Sequence, residues 1–288
     1  MANVRPAMSE SPHFVWNDEW ETRYRALSYD HVVASTKALL QRDPAVGAAV
    51  LKIGNGYALF HGPDSAMTAA SSIGTGDGNF EQQLAAVEDF YLTRNCRPRL
   101  WTNPTTHPGF LRLLDSRGYK PLATVQTWVR PAEPLPEVRV ASNIEVRIVE
   151  ERDADTWIQT VTAGFQEINH PLHAPVPKAM ADAFFSFAFA PGFTAMLAFI
   201  DEEPVGGGVL AQAHQLAILR TASTRFQHRG KDVQRALIAA RLRHANVSGN
   251  TVCLATTSSD DSDHSSRNMA LFGFQKLRLS SLLERQGD

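Results

Sequence analysis

Apolar positions along the chain fall into short runs of strand character separated by stretches of helical periodicity. A helical pattern spans Tyr29–Gln41, and three strand-like runs follow at Gly47–Ile53, Tyr57–His61 and Met67–Ile73. Asn79 stands three residues before Gln82, the spacing at which an asparagine caps a helix and the glutamine reaches back. Phe80, Leu84, Val87 and Tyr91 line one face of the helix so predicted. A strand at Arg99–Thr102, a helix at Pro108–Ser116 and, past Gly118 and Tyr119, a strand at Leu122–Val129 complete this stretch.

The remainder runs through the same order. A strand is predicted at Ile144–Ile148, helices at Asp153–Phe165 and Lys178–Phe187, and strands at Phe193–Ile200, Val205–Ala211 and Gln215–Ser223. A long helix follows at Lys231–Ala245, with Val233, Ala236, Leu237 and Ala240 on one face. A strand at Val252–Ala255, a helix at Ser265–Leu271 and a strand ending near Leu283 close the pattern. Gly273 and Phe274 repeat the punctuation of Gly118 and Tyr119, which points to an ancient duplication. Pro131, Pro134 and Pro136 favour an extended connector, so the expected domains are 1–134 and 135–288. The expected class is α/β, a mixed sheet flanked by helices in each domain. Ala181–Ile200 is long and apolar enough to raise the question of a membrane span, but Pro191 and Gly192 divide it into a core helix and a core strand.

Composition narrows the function classes. With 288 residues, 43% hydrophobic and 20% charged, the chain reads as globular and excludes collagen, coiled coil and long disorder. Its 28 Lys and Arg against 30 Asp and Glu argue against coating nucleic acid by bulk charge. Cys96 and Cys253 are too few for a disulfide framework or a cysteine zinc site, and they imply a reducing cytoplasm. Met1–Val15 lacks the apolar core of a signal peptide. Neither a nucleic-acid nor a membrane partner is expected.

Charge concentrates in one place. Arg220–Arg243 holds Arg220, Arg225, Arg229, Lys231, Arg235, Arg241 and Arg243 against a single acid, Asp232. The order there is strand, short loop and helix, which aims backbone N–H groups and a positive helix end at an anion. Gln227–Lys231 is the candidate anion loop, whereas Arg241 and Arg243 read as facing water. Other constellations fail. Gly74, Gly76 and Gly78 have the wrong spacing for a dinucleotide fingerprint and read as a turn before the Asn79 cap. Glu167, His170 and His173 could suggest a metal, but Pro171 interrupts any shared helical face and no fourth ligand is evident, so no metal is expected. Asp260, Asp261 and Asp263 read as acids suited to a helix N-terminus.

Taken together, Gln227-His228-Arg229-Gly230-Lys231-Asp232 between a strand and a helix, then Ser265-Ser266-Arg267-Asn268 and Gly273-Phe274, resemble the GNAT superfamily of N-acyltransferases. The resemblance covers about residues 200–284 closely and 143–200 loosely. Residues 45–130 look like a second, degenerate copy without the basic loop, as in tandem members of that superfamily. It implies acetyl-CoA or another acyl-CoA as co-substrate, its pyrophosphate on the amides of Gln227–Asp232, and Asn268 beside the pantetheine or adenine. It also implies that backbone N–H groups of Thr221, Ala222 and Ser223 polarise the thioester carbonyl. The loop Phe165–His173 would cover the acceptor, a small-molecule amine, with Phe165 and His173 against it and Glu167 or His170 taking its proton. Oligomeric state is left open.

Three features depart from that pattern. Asp232 occupies the place of the loop's last small residue, where an unscreened acid about 5 Å from a phosphate costs on the order of 3 kcal/mol at an effective dielectric of ~20. No tyrosine follows Tyr119, and Leu271 and Phe272 stand where many family members keep a tyrosine acid. Gln215–Ser223 carries no acidic residue to serve as a base. Ser265 and Cys253 are the remaining candidates for the acid, with a core role the stronger expectation for Cys253. Two further readings therefore stay open: the same fold with another donor, a formyl-folate or a carrier-protein thioester, and a non-catalytic binding protein.

Overall fold

The computed structural model describes residues 14–76, 78–166 and 175–286. Helix α1 (Asp18–Arg42) opens it, begun by Asn17, whose side chain accepts from the Trp20 N–H at 3.0 Å, and by Asp18, Glu19 and Glu21 in the first turn. It starts eleven residues before the predicted Tyr29. Its inner face buries Glu21, Ser28, His31, Ser35 and Thr36 beside Leu27, Val32 and Leu39, and Trp20, Tyr24 and Leu27 carry the apolar spacing back through turns that their acidic and basic neighbours make read as solvated.

The first half continues as β1 (Ala49–Ile53), β2 (Gly56–Phe60), β3 (Ala69–Ser71), α2 (Phe80–Leu92), β4 (Arg99–Thr102), α3 (Pro108–Ser116) and β5 (Tyr119–Pro131). The second half has β6 (Glu145–Ile148), α4 (Ala154–Phe165), α5 (Lys178–Ala188), β7 (Phe193–Ile200), β8 (Glu203–Ala213) and β9 (Leu216–Thr224). It ends with α6 (Val233–Val247), β10 (Val252–Ser258), α7 (His264–Leu271) and β11 (Gln275–Arg285). The Asn79 cap forms as expected, accepting from the Gln82 N–H at 3.0 Å. Ala181–Ile200 divides at Pro191 and Gly192 into α5 and β7, and no helix among the described residues is long and apolar enough to cross a membrane.

All eleven strands form one mixed sheet in the order β1-β2-β3-β4-β11-β5-β10-β9-β8-β7-β6. The last strand of each half has crossed into the other. β5, from the first half, lies antiparallel beside β10 (Val252↔Pro131 to Ser258↔Val125), and β11, from the second, lies antiparallel beside β4 (Ser281↔Thr102 to Glu284↔Arg99). The two exchanged strands pair with one another from Gln275↔Val129 to Arg285↔Tyr119. Sequence repetition predicts two copies of the unit but not this exchange, which depends on pairing between residues more than 120 positions apart.

Helices cover both faces. α2 and α3 close a core of Leu84, Val87, Tyr91, Phe110 and Leu114 against β2, β3 and β4. α6 and α7 pack Ile238, Leu242, Met269 and Phe272 against Ala217, Leu219, Cys253, Ala255 and the exchanged Trp128. On the other face α4 and α5 bury Trp157, Val161 and Phe185, while Leu27 of α1 meets Leu216, Ile218, Leu254 and Val129. The first and last elements are tied by a buried ion pair, Arg278 Nη1 to Glu21 Oε2 at 2.5 Å, with Trp16 Nε1 donating to the same carboxylate oxygen at 3.0 Å.

Two predictions follow from this architecture. Fragments 1–134 and 135–288 expressed separately each lose a central strand, and each is expected to aggregate alone yet form a soluble complex when co-expressed. A cooperative, monomeric 135–288 melting within a few degrees of the whole chain would show that the exchange is dispensable. The second concerns His31 and His61, which burial holds down to about 4. The unfolded chain then binds more protons than the folded one between about pH 6.5 and 4, so stability falls as pH drops through that window. The loss is on the order of 3 kcal/mol per histidine. Urea midpoints at pH 7 and 4.5 measure it, and His61→Gln is expected to remove about half of the difference.

Candidate functional site

β9 and β10 run parallel and in register only from Leu216↔Val252 to Leu219↔Ala255. Beyond that point they part. β9 turns toward β8 through a bulge at which Gly208↔Ala222 gives way to Val209↔Arg220, leaving Thr221 unpaired with φ +31°. The far end of β10, Thr256 to Ser258, instead pairs with the exchanged β5. The floor of the resulting opening is backbone from Ala222 to Thr224, and its far wall is the end of α4 at Gly164 and Phe165. α6 and α7 bound the remaining side, enclosing a groove of about 520 Å³.

The loop into α6 leaves the start of that helix open. Gly230 (φ +75°) and Asp232 (φ +62°) both adopt the left-handed conformation, which ends the preceding turn and starts α6 at Val233 rather than Lys231. Asp232 holds the N-cap position, yet its side chain caps nothing, and among the described residues no side chain satisfies the first-turn N–H groups of α6. Its carboxylate instead accepts from Arg235 Nη1 at 2.9 Å. Arg235 Nε donates to Asn268 Oδ1 at 3.4 Å, Asn268 Nδ2 to Gln234 Oε1 at 2.9 Å, and Gln234 Nε2 to Ser265 Oγ at 3.0 Å. This chain of bonds clasps α6 to α7 along the groove.

Most of the residues expected from the sequence meet here. Phe165, Ala222, Ser223, His228, Arg229, Gly230, Asp232, Ser265 and Asn268 all line the groove. Thr221 is the bulge residue itself. Ser223 is structural, its buried hydroxyl donating to Val161 O at 2.7 Å. Arg229 Nη2 donates to Gly164 O at 2.9 Å, tying the loop to the end of α4. Lys231 faces a second cavity of about 490 Å³ behind the loop, shared with Asp201, Glu203, His228 and Asp232, and exposed Gln227 lines neither cavity. Burial lowers the His228 imidazole below its ordinary range, with Glu203 at 3.8 Å opposing the shift. Glu167, His170 and His173 lie outside the described residues.

Other expectations change. Arg241 does not face water: it is 2% exposed beneath the bulge, whereas Arg243 is exposed as predicted. Cys253 sits in the core, where burial pushes its thiol up to about 12. Phe272 is fully buried and Leu271 turns outward, so neither faces the groove as the usual tyrosine would. The sequence reading missed Gln234, Arg235 and His264. His264 begins α7 beside Ser265 and was within reach of a local signal, but the pairing of Gln234 and Arg235 with α7 exists only after folding.

The same architecture recurs in solved structures. A GCN5-related N-acetyltransferase from Kribbella flavida superposes with a TM-score of 0.65 at 15% identity, over 93% of this chain and 96% of its own. A tandem GNAT protein from the clavulanic acid biosynthesis pathway gives 0.57 at 14% identity, over 94% and 97%. A GCN5-related N-acetyltransferase from Sphaerobacter thermophilus gives 0.57 at 14% identity, over 84% and 77%. The fold is the GNAT fold, twice over. At the sequence level no protein-family model and no curated protein matches the chain.

The two GNAT copies have diverged at the loop. In the first, the Gly74 N–H donates to Gln83 Oε1 at 3.1 Å and Asn79 caps α2, so side chains already occupy these amide donors. In the second they are open. Asp232 is the residue that departs from the GNAT loop, and its pairing with Arg235 predicts a thermodynamic cycle. Asp232→Gly should tighten inorganic pyrophosphate, used as an anion probe of the open helix start, less than about tenfold, because the charge is already neutralised. Arg235→Ala should weaken that anion by tenfold or more, a solvent-discounted share of the unscreened repulsion, and the double variant should recover most of that loss. Calorimetry on the four proteins measures the coupling, and additive effects would mean that Arg235 does not screen Asp232.

Proposed function

We propose that this chain is an acyltransferase whose second half moves an acetyl or other short acyl group from a CoA thioester to an amine of a small molecule by direct attack. The observation that carries this reading is the uncapped start of α6, with its Gly230 loop, lining one groove with Ala222 to Thr224, the residues that follow the bulge of β9. The groove fits such a donor. First-turn amides of α6 and the loop backbone would hold the pyrophosphate, with Arg229 and Lys231 adding positive potential. Asn268, already aligned by Gln234 and Arg235, would face the pantetheine arm. The donor supplies an activated carbonyl. Backbone N–H groups near Thr221–Ser223 would polarise it, and the walls at Phe165 and Ser265 would orient the acceptor.

Proton handling falls to the groove's ends. Glu167, His170 and His173 on the loop after Phe165 are the proposed acceptors of the amine proton, and Ser265 is the proposed donor to the departing thiolate, with His264 beside it. General acid–base help contributes ~10²–10⁴-fold, so their loss slows transfer without ending it. Domains 1–134 and 135–288 would then be a scaffold copy and a working copy, acting in a reducing cytoplasm that suits two buried free cysteines. A non-CoA donor would be favoured by an unscreened Asp232, and the Arg235 ion pair weighs against that reading.

Titration of the purified chain with acetyl-CoA, followed by thiol release against a panel of small amines, tests the proposal. Binding in the micromolar range is expected, weakened tenfold or more by Arg229→Ala with Lys231→Ala. His264→Ala and Ser265→Ala should lower kcat with little change in donor affinity. No binding would remove the CoA reading, turnover with another donor would replace it, and neither binding nor turnover would leave a non-catalytic protein.

A further inference from the structure

Arg241 is a buried cation with no carboxylate beside it. It lies in the third turn of α6, 2% exposed, and makes no ion pair among the described residues. Its guanidinium is spent on backbone oxygens: Nε donates to Leu237 O at 3.0 Å, and Nη1 to Arg220 O at 3.2 Å and Val209 O at 3.4 Å. Arg220 and Val209 are the register pair at which the bulge begins. Room for the group comes from Gly208 on β8, where a Cβ would stand 3.2 Å from Arg241 Cζ and 3.3 Å from Ala222 Cβ. An unpaired positive charge is costly inside a protein, and a hydrophobic residue would fill the same volume without that cost. The charge persists at neutral pH, since burial lowers the guanidinium only to about 10.

What distinguishes these contacts is the peptide they hold. The carbonyl of Arg220 and the N–H of Thr221 are the two ends of one peptide unit, and Thr221 is the residue the bulge expels. A charged donor on the carbonyl sets the plane of that unit and polarises it, which strengthens hydrogen bonding at its N–H end. It also places a positive charge beside Gly208 and next to Ala222, which lines the groove. We propose that Arg241 is a positioning residue for acyl transfer, fixing the β9 bulge and loading positive potential behind the backbone that receives the acyl carbonyl. This rests on the acyl-donor reading above. It also accounts for Gly208 and for an arginine that local sequence would assign to solvent.

The test compares Arg241→Met, close in length and uncharged, with Arg241→Lys, which keeps the charge. In the free protein, hydrogen exchange across Thr221–Ser223 is expected to quicken tenfold or more in Arg241→Met and less in Arg241→Lys. With acetyl-CoA labelled with ¹³C at the thioester carbon, the infrared carbonyl band should move to lower frequency on binding to the natural protein. At least half of that shift should be lost in Arg241→Met. Donor affinity should change less than about threefold, because Arg241 lies about 12 Å along the helix from the amides at its start. Unchanged exchange and an unchanged band, with only a lower Tm, would reduce Arg241 to a packing residue and overturn the proposal. If the natural protein binds no acetyl-CoA, the donor reading fails, and the catalytic part of the proposal with it, while exchange still decides whether Arg241 holds the bulge. Should Arg241→Met not fold, Gly208→Ala crowds the guanidinium directly and is expected to shift both readouts the same way.

Discussion

A strand in the middle of a sheet must be hydrogen-bonded on both sides, and in this chain the partners that satisfy β5 and β11 belong to opposite halves. β5 sits between β10 and β11, and β11 between β4 and β5. Neither half can close its own sheet without stripping the other, so two copies of one unit become a single structure. The consequence for the site is direct. The far end of β10 is held by β5 rather than by β9, which frees β9 to bend away and open the groove.

That opening is then defended by unusual chemistry on both of its sides. Beneath the bulge, Arg241 donates to the carbonyls of Val209 and Arg220, the pair at which the ladder shifts register. Above it, Asp232 takes a left-handed conformation that glycine adopts without strain, and Arg235 neutralises the acid that the position would otherwise expose to an anion. The α6–α7 clasp from Arg235 through Asn268 and Gln234 to Ser265 is part of the same solution, since it fixes the orientation of the polar groups that line the groove. In the first copy the corresponding amides are occupied by Gln83 and Asn79. One loop is thus closed by side chains and the other stands open.

Much of this was legible in the residues. Periodicity located nearly every strand and helix of the second half, because each buries an apolar face with the spacing of its own geometry. The basic loop, its glycine and Asn268 were readable because an anion site beside a helix start needs backbone and charge that lie together in sequence. The early turns of α1 were passed over because Asp18, Glu19, Glu21, Arg23 and Arg25 read as solvated, although Glu21 is buried and Trp20, Tyr24 and Leu27 keep an apolar row at helical spacing. Arg241 was misread for the matching reason. An arginine on a helix is ordinarily at the surface, and nothing local says that Gly208, thirty-three positions earlier, has left it a place inside.

The sequence by itself determined the local elements, the doubled pattern and the short segment where charge and glycine gather before a helix start, because these depend on neighbours within a few residues. Only the tertiary structure decided which strands pair across the two copies, where β9 leaves β10, and which partners neutralise Asp232 and hold the bulge. Those outcomes depend on hydrogen bonds and charges that find partners tens to hundreds of positions away, and such partners are brought together only when the whole sheet closes.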